Sequence, residues 1–228
     1  MTVIFTAAGA ARGARAILPI APGAVAFGLV YGYLAGERDL SVLEVGLTSL
    51  IVFAGASQFL ALEMWGDPLP LAGVFVGVLL INLRHVLLGP ALLPWLPPLP
   101  PAAAYGSLFF LADEVWGVSV VEQRRGGRDA AFLLGAGLSL YAFWVTSTLL
   151  GRLAGDLSLL VEEWGLEFLT TAFFVALLAG FWRGRGDALA WTTAAVVAVT
   201  AKWGLPGTWY ILLGALAGSL AGAWRDRQ

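Results

Sequence analysis

Three uncharged runs constrain this chain more than any other feature. Residues 16–36, 130–151 and 203–224 contain no Asp, Glu, Lys or Arg. Each is long enough, as helix, to cover the roughly 30 Å hydrocarbon core of a bilayer. A water-soluble fold of 228 residues has no interior that hides such runs repeatedly. The mean hydropathy of +0.83 agrees. So does a charged fraction of 12%, against roughly 25% in ordinary domains. The chain therefore reads as an all-α integral membrane protein with one polytopic domain, 1–228. A transmembrane β-barrel would show alternating segments of about ten residues, and the sequence has no such pattern.

About eight helical segments follow from hydropathy: 16–36, 44–63, 69–92, 102–121, 130–151, 167–182, 188–201 and 204–224. The sixth and seventh are short and separated only by "RGRGD" (183–187). They read either as two short spans or as one re-entrant hairpin shielded by protein. No internal repeat is evident. With the N-terminus inside, the cytoplasmic segments hold Arg12, Arg15, Arg124, Arg125, Arg128, Arg183, Arg185, Arg225 and Arg227. The outside segments hold only Arg38, Arg152 and Lys202. This bias predicts both termini in the cytoplasm of a multi-pass membrane protein. The N-terminus lacks a cleavable-signal pattern, so the first helix is expected to stay in the bilayer.

Other classes are excluded by what is missing. There is no cysteine and only one histidine, so thiolate and histidine-rich metal sites are ruled out and no metal or cofactor is expected. No basic face supports nucleic-acid binding.

Glycines at 28, 32 and 36, and again at 214, 218 and 222, recur every four residues. That period lets a second backbone approach closely, either within the chain or from a second membrane subunit. In "LPIAPGAVAFG" (18–28), Pro19 and Pro22 each remove an amide donor and Gly23 adds freedom, so the first helix should kink or unwind there. Interrupted helices can receive a carboxylate on their freed amides.

Polar residues inside apolar segments carry the functional signal. "GASQF" (55–59) places Ser57 and Gln58 late in the second segment. "INLRHVLLGP" (81–90) places Asn82, Arg84 and His85 in the third, with Asn82 and His85 on one helix face. "ADEVW" (112–116) places Asp113 and Glu114 inside the fourth. The link "PWLPPLPP" (94–101) predicts that the third and fourth segments are antiparallel neighbours. Arg84 then lies about 12 Å and Asp113 about 17 Å from the same membrane face, within reach of each other. Arg84 is expected to pair with Asp113 or Glu114. The pair has three open roles: structural, part of a proton-coupled cycle through His85 or a carboxylate, or a clamp on a substrate carboxylate.

These clusters, in this order, resemble the AzlC family, the large subunits of bacterial branched-chain amino-acid exporters. The resemblance rests on "PIAPGAVAFGLVYG" (19–32), "VFAGASQFLAL" (52–62), "INLRHVLLGPAL" (81–92), "ADEVWGVS" (112–119) and "LLGAGLSLYAFWV" (133–145). It implies a permease working with a small AzlD-type membrane subunit and exporting branched-chain or related amino acids. Leu88 stands where the family often has tyrosine, and Ala112 where it often has threonine. An aliphatic zwitterion needs a carboxylate receiver, an ammonium receiver and an apolar pocket. Arg84 or the broken first helix suits the first, Asp113 or Glu114 the second, and Phe27, Phe59 or Trp116 the third. Two other classes stay open: an intramembrane enzyme using Asp113, Glu114 and His85, and a scaffold subunit that moves no solute. No HExxH, GxSxG or phosphate-loop motif favours the enzyme.

Overall fold

The computed structural model describes residues 3–66, 68–155, 184–205 and 209–225. The expected sixth segment, 167–182, lies outside the described residues. Among these residues the regular structure is helical: α1 (Ala7–Ile17), α2 (Ala21–Glu37), α3 (Val42–Val52), α4 (Gly55–Glu63), α5 (Leu71–Asn82), α6 (Arg84–Leu92), α7 (Pro101–Phe109), α8 (Asp113–Arg124), α9 (Ala131–Gly155), α10 (Ala188–Gly204) and α11 (Trp209–Arg225). Two stretches are long and apolar enough to cross a bilayer unbroken, Leu71–Leu92 and Ala131–Ala154; the bent pair α1–α2 makes a third if taken as one broken span.

The fold is organised around α9. This helix packs along both α1 and α2, and small residues make the close approach possible. A side chain at Gly13 would strike the backbone of Phe132, and one at Gly135 that of Ala10. The same reciprocal pattern recurs at Gly32 against Thr148 and at Gly151 against Leu29. Over the whole contact, from Gly9 against Asp129 through Gly28 against Ser147 to Gly36 against Arg152, numbers rise together, so α1–α2 and α9 run parallel. At the lower-numbered end, Asp129 accepts from the Thr6 amide (3.1 Å) and hydroxyl, while Thr6 caps α1 through the Gly9 amide (3.0 Å). The kink expected near Pro19 is a full break at 18–20, with α1 and α2 bent by 70°. Pro22 sits in the first turn of α2, where its missing amide costs nothing.

The second and fourth segments differ from expectation. As a straight helix, 38 and 65 would stand about 40 Å apart. Instead Arg38 Nη1 donates to the Trp65 carbonyl at 3.1 Å, and Gln58 Nε2 donates to Ser49 Oγ at 3.2 Å. α3 and α4 therefore fold back on each other as a hairpin whose tip is Phe53–Ala54. Ser41 starts it with a reciprocal cap to Glu44. Phe53 turns the chain at φ 37°, a left-handed conformation that costs an ordinary residue about 1–2 kcal/mol. Burial of its ring against Phe110 and Tyr141 offsets that cost.

α7 and α8 repeat the arrangement from the other end. Trp95 Nε1, before α7, donates to the Gly127 carbonyl, after α8, at 3.0 Å. A continuous helix would hold these two residues about 48 Å apart. The first hairpin opens at the Arg152 end of α9, where Arg152 Nε donates to the Leu40 carbonyl at 2.6 Å. The second opens at the Asp129 end, where Trp95 packs on Phe132 with centroids 6.2 Å apart. Neither 44–63 nor 102–121 runs through from end to end. The reason is local: both breaks fall where the chain leaves helix, at Phe53–Ala54 and at 110–112, and hydropathy is blind to direction.

α5–α6 does run through. Gly73 sits against Met64, just past α4, and Gly77 against Leu60 of α4, while Leu92 leads to Trp95 at the opposite end. Because α8 is the returning arm of its hairpin, α6 and α8 run parallel, not antiparallel as the sequence suggested. The glycine periods are absorbed internally. Gly28 and Gly32 face Ser147 and Thr148, and Gly36 faces Arg152. Gly214, Gly218 and Gly222 face Ala198, Ala194 and Ala190 within the α10–α11 pair.

Candidate functional site at the hairpin tips

The two tips meet halfway along α9. Phe53 and Phe110 have centroids 6.5 Å apart, and each lies 5.1 Å from Tyr141. The Tyr141 hydroxyl donates to the Leu50 carbonyl at 2.8 Å, meeting an acceptor that the end of α3 frees. Both returning helices, α4 and α8, thus begin in the middle of the protein. Their N-terminal amides and positive dipole ends point at the centre, and neither has a side-chain cap.

On the α8 side, Asp113 and Glu114 form the first turn instead of lying mid-helix. Arg84 Nη1 reaches Asp113 Oδ2 at 2.6 Å, so the expected ion pair is present and Asp113 is its partner. Polar capacity is left over around it: Arg84 Nε and Asn82 Oδ1 are buried without a hydrogen-bond partner among the described residues. His85 turns back to its own helix, with Nδ1 3.1 Å from the Asn82 carbonyl. Trp116 donates to the Leu88 carbonyl at 3.1 Å, tying α8 to α6.

On the α4 side, Ser57 and Gln58 lie in the first turn, not late in a span. Gln58 is occupied at both ends: its amide reaches Ser49, and its carbonyl accepts from Trp144 Nε1 at 3.0 Å. Ser57 Oγ is buried and makes no hydrogen bond among the described residues. Phe27 stacks on Phe59 at 4.3 Å, and Tyr31 and Trp144 close around them. The first turn of α4 abuts this group, since a side chain at Gly55 would strike Trp144.

The predicted residues thus divide into two groups separated by the Phe53–Phe110–Tyr141 layer. Asn82, Arg84, His85, Asp113, Glu114 and Trp116 share one side; Ser57, Gln58, Phe27 and Phe59 share the other. Pro19, Pro22 and Gly23 belong to the α1–α2 bend. Sequence reasoning missed Ser49, Phe53, Phe110, Tyr141 and Trp144. A lone aromatic in an apolar run carries no signal, although Trp144 and Tyr141 fall in a stretch that already matched a family. Among the described residues no cluster of His, Asp and Glu is arranged to hold a metal.

Helices with two or three candidate membrane spans among the described residues, one of them broken, are the architecture of a helical membrane protein. Residues 19–157 match the family model described as AzlC protein, and the chain belongs to that family. It is 34% identical to an uncharacterized membrane protein of Archaeoglobus fulgidus over 90% of both chains. It is 29% identical to the inner membrane protein YgaZ of Escherichia coli, over 83% of this chain and 79% of the relative. The branched-chain amino acid transport protein AzlC of Bacillus subtilis is 25% identical over 72% of this chain and 65% of its own length. No solved structure matches.

Proposed function

We propose that this protein is the large subunit of a transporter that exports branched-chain or related aliphatic amino acids across the cytoplasmic membrane. It couples export to protons and works with a small AzlD-type membrane subunit. The observation that carries the reading is the meeting of two opposed hairpin tips beside the Arg84–Asp113 pair. Two half-helix N-termini at mid-depth suit a substrate carboxylate, and carboxylates at one of them suit its ammonium group. The unpartnered Ser57 hydroxyl adds a donor beside the first, and Phe27 and Phe59 line an apolar wall next to it.

In this reading residues 7–155 make three crossings and two re-entrant hairpins, in place of five crossings. The termini lie in the cytoplasm. Support comes from charge: Arg12, Arg15, Arg124, Arg125 and Arg128 belong to the Asp129 end, while Arg38 and Arg152 mark the other. The hairpins move only the links 64–70 and 93–100 to opposite faces, and neither link contains Arg or Lys.

The test is flux of labelled leucine or valine in vesicles holding this protein and its small partner, with and without a pH gradient. Wild-type protein is expected to move leucine faster when the gradient is imposed. Asp113→Asn is expected to lower that flux by about 100-fold, in the range for removing a positioned acid–base group. Equal flux in Asp113→Asn and wild type would refute an essential carboxylate.

A further inference from the structure

We infer that the groove between α1 and α8 is a water-filled, anion-selective vestibule leading a small carboxylate-bearing solute from the Asp129 end of the protein to Glu114. One face of α8 lines it along its whole length: Glu114, Gly117, Val118, Val121, Glu122 and Arg125. This 3–4 spacing is a single helical stripe, and from Arg125 to Glu114 it covers about 17 Å. Arg12 and Arg15 of α1 face it, and Ile20 and Phe132 complete the wall. Its volume of about 790 Å³ falls within the roughly 300–1,000 Å³ of small-molecule clefts.

Charge decides what fills the groove. Five of its wall residues, Arg12, Arg15, Glu114, Glu122 and Arg125, are ionisable. Lipid tails against them would leave charges unsolvated at large cost. Water solvates them, so the groove is aqueous. Arg12 is committed to acids, 3.9 Å from Glu122 and 3.7 Å from Asp129. Arg15 and Arg125 are exposed and have no ion-pair partner among the described residues. The mouth is therefore net positive and draws anions. At the inner end stands Glu114, next to Asp113 and its arginine. A zwitterion passing inward meets cations suited to its carboxylate first and a carboxylate suited to its ammonium last. The identity of the solute rests on the transport reading; the vestibule itself does not.

The chain has no cysteine, so each introduced thiol is unique. A cysteine fits at Gly117, where an added Cβ meets nothing within 4 Å. In inside-out vesicles of the full chain, Gly117→Cys and Val118→Cys are expected to react with membrane-impermeant thiosulfonates. Val115→Cys and Ser119→Cys, at 0% exposed positions on the buried flank of the same helix, are expected not to react. At Gly117→Cys the sulfonate reagent should outpace the trimethylammonium reagent by about tenfold after correction for free thiol. Adding Arg15→Gln and Arg125→Gln should remove that preference, and L-leucine should slow the labelling.

A folded Gly117→Cys variant whose thiol does not react overturns the vestibule. Equal rates for the two reagents, or a faster cation, overturn its selectivity. Labelling blocked by anionic phospholipid and untouched by leucine assigns the groove to lipid headgroups and overturns the solute path. Normal labelling with leucine protection but no leucine flux would uphold the vestibule and remove the transport reading instead.

Discussion

Arg84→Ala is expected to lower the stability of the folded protein by about 2 kcal/mol, because Asp113 loses its counter-charge while staying at mid-depth. Removing one partner of a fully buried pair costs about 3–5 kcal/mol. The side chains here keep 35% and 45% exposure, so only part of that penalty applies. About 2 kcal/mol corresponds to roughly a 30-fold change in the folded-to-unfolded ratio. The second substitution makes the test specific. Asp113→Ala in the Arg84→Ala background removes the stranded carboxylate and is expected to restore about half of the loss. Denaturant titration of the purified variants measures both, and strictly additive losses would contradict the pair. Flux stays low in the double variant, since folding is rescued and the charge layer is not.

Gly32→Leu is expected to be the most damaging single substitution in the α2–α9 contact. Any Cβ at this position meets the Thr148 carbonyl and crowds the Arg152 amide, both of them backbone. Backbone cannot rotate aside as a side chain does, so the two helices must part. Parting them also loosens the reciprocal contact at Gly151 against Leu29 and the aromatic group below it. Overpacking of this kind costs about 3 kcal/mol. Gly36→Ala is the mild control on the same face, since the nearest atom to its Cβ is a side-chain carbon of Arg152 at 3.3 Å and not backbone. Size-exclusion recovery of folded protein should fall sharply for Gly32→Leu and stay near wild type for Gly36→Ala. Equal recovery would contradict close backbone packing.

The sequence made some of this legible for clear physical reasons. Charge-free runs report helix and membrane, because both depend on composition. Arg84 was given Asp113 or Glu114 as partner because a charge at depth needs one and only these two carboxylates stood at a similar level; the structure selects Asp113. Pro19 and Pro22 announced the first break, since a missing amide leaves its mark in the residue type. The other two breaks left no such mark. Phe53 bends the chain in a left-handed conformation that glycine would have advertised and phenylalanine does not. At 110–112 the chain reads "FLA", as apolar as α7 before it, and the acidic pair that follows read as charge inside a span instead of as the first turn of a new helix. Direction was also invisible: a hairpin arm and a crossing helix need the same hydropathy. What distinguishes them is the pairing of residues distant in sequence, Arg38 with Trp65 and Trp95 with Gly127. Gln58 is a related case. As a polar residue in an apolar run it read as a candidate for substrate binding or coupling, yet its position in the first turn of α4 commits both ends of its amide to Ser49 and Trp144.

Two hairpins entering from opposite faces are the core of this account, and single-cysteine sidedness tests them most directly. Glu37, Gly66, Pro98 and Arg124 are all exposed. In sealed, oriented vesicles, Glu37→Cys and Gly66→Cys should react with an impermeant maleimide from one side only, the same for both. Pro98→Cys and Arg124→Cys should both react from the other. If the segments between them crossed the membrane, positions 37 and 66 would label from opposite sides, and so would 98 and 124; that result would contradict the fold's central feature and the site built on it.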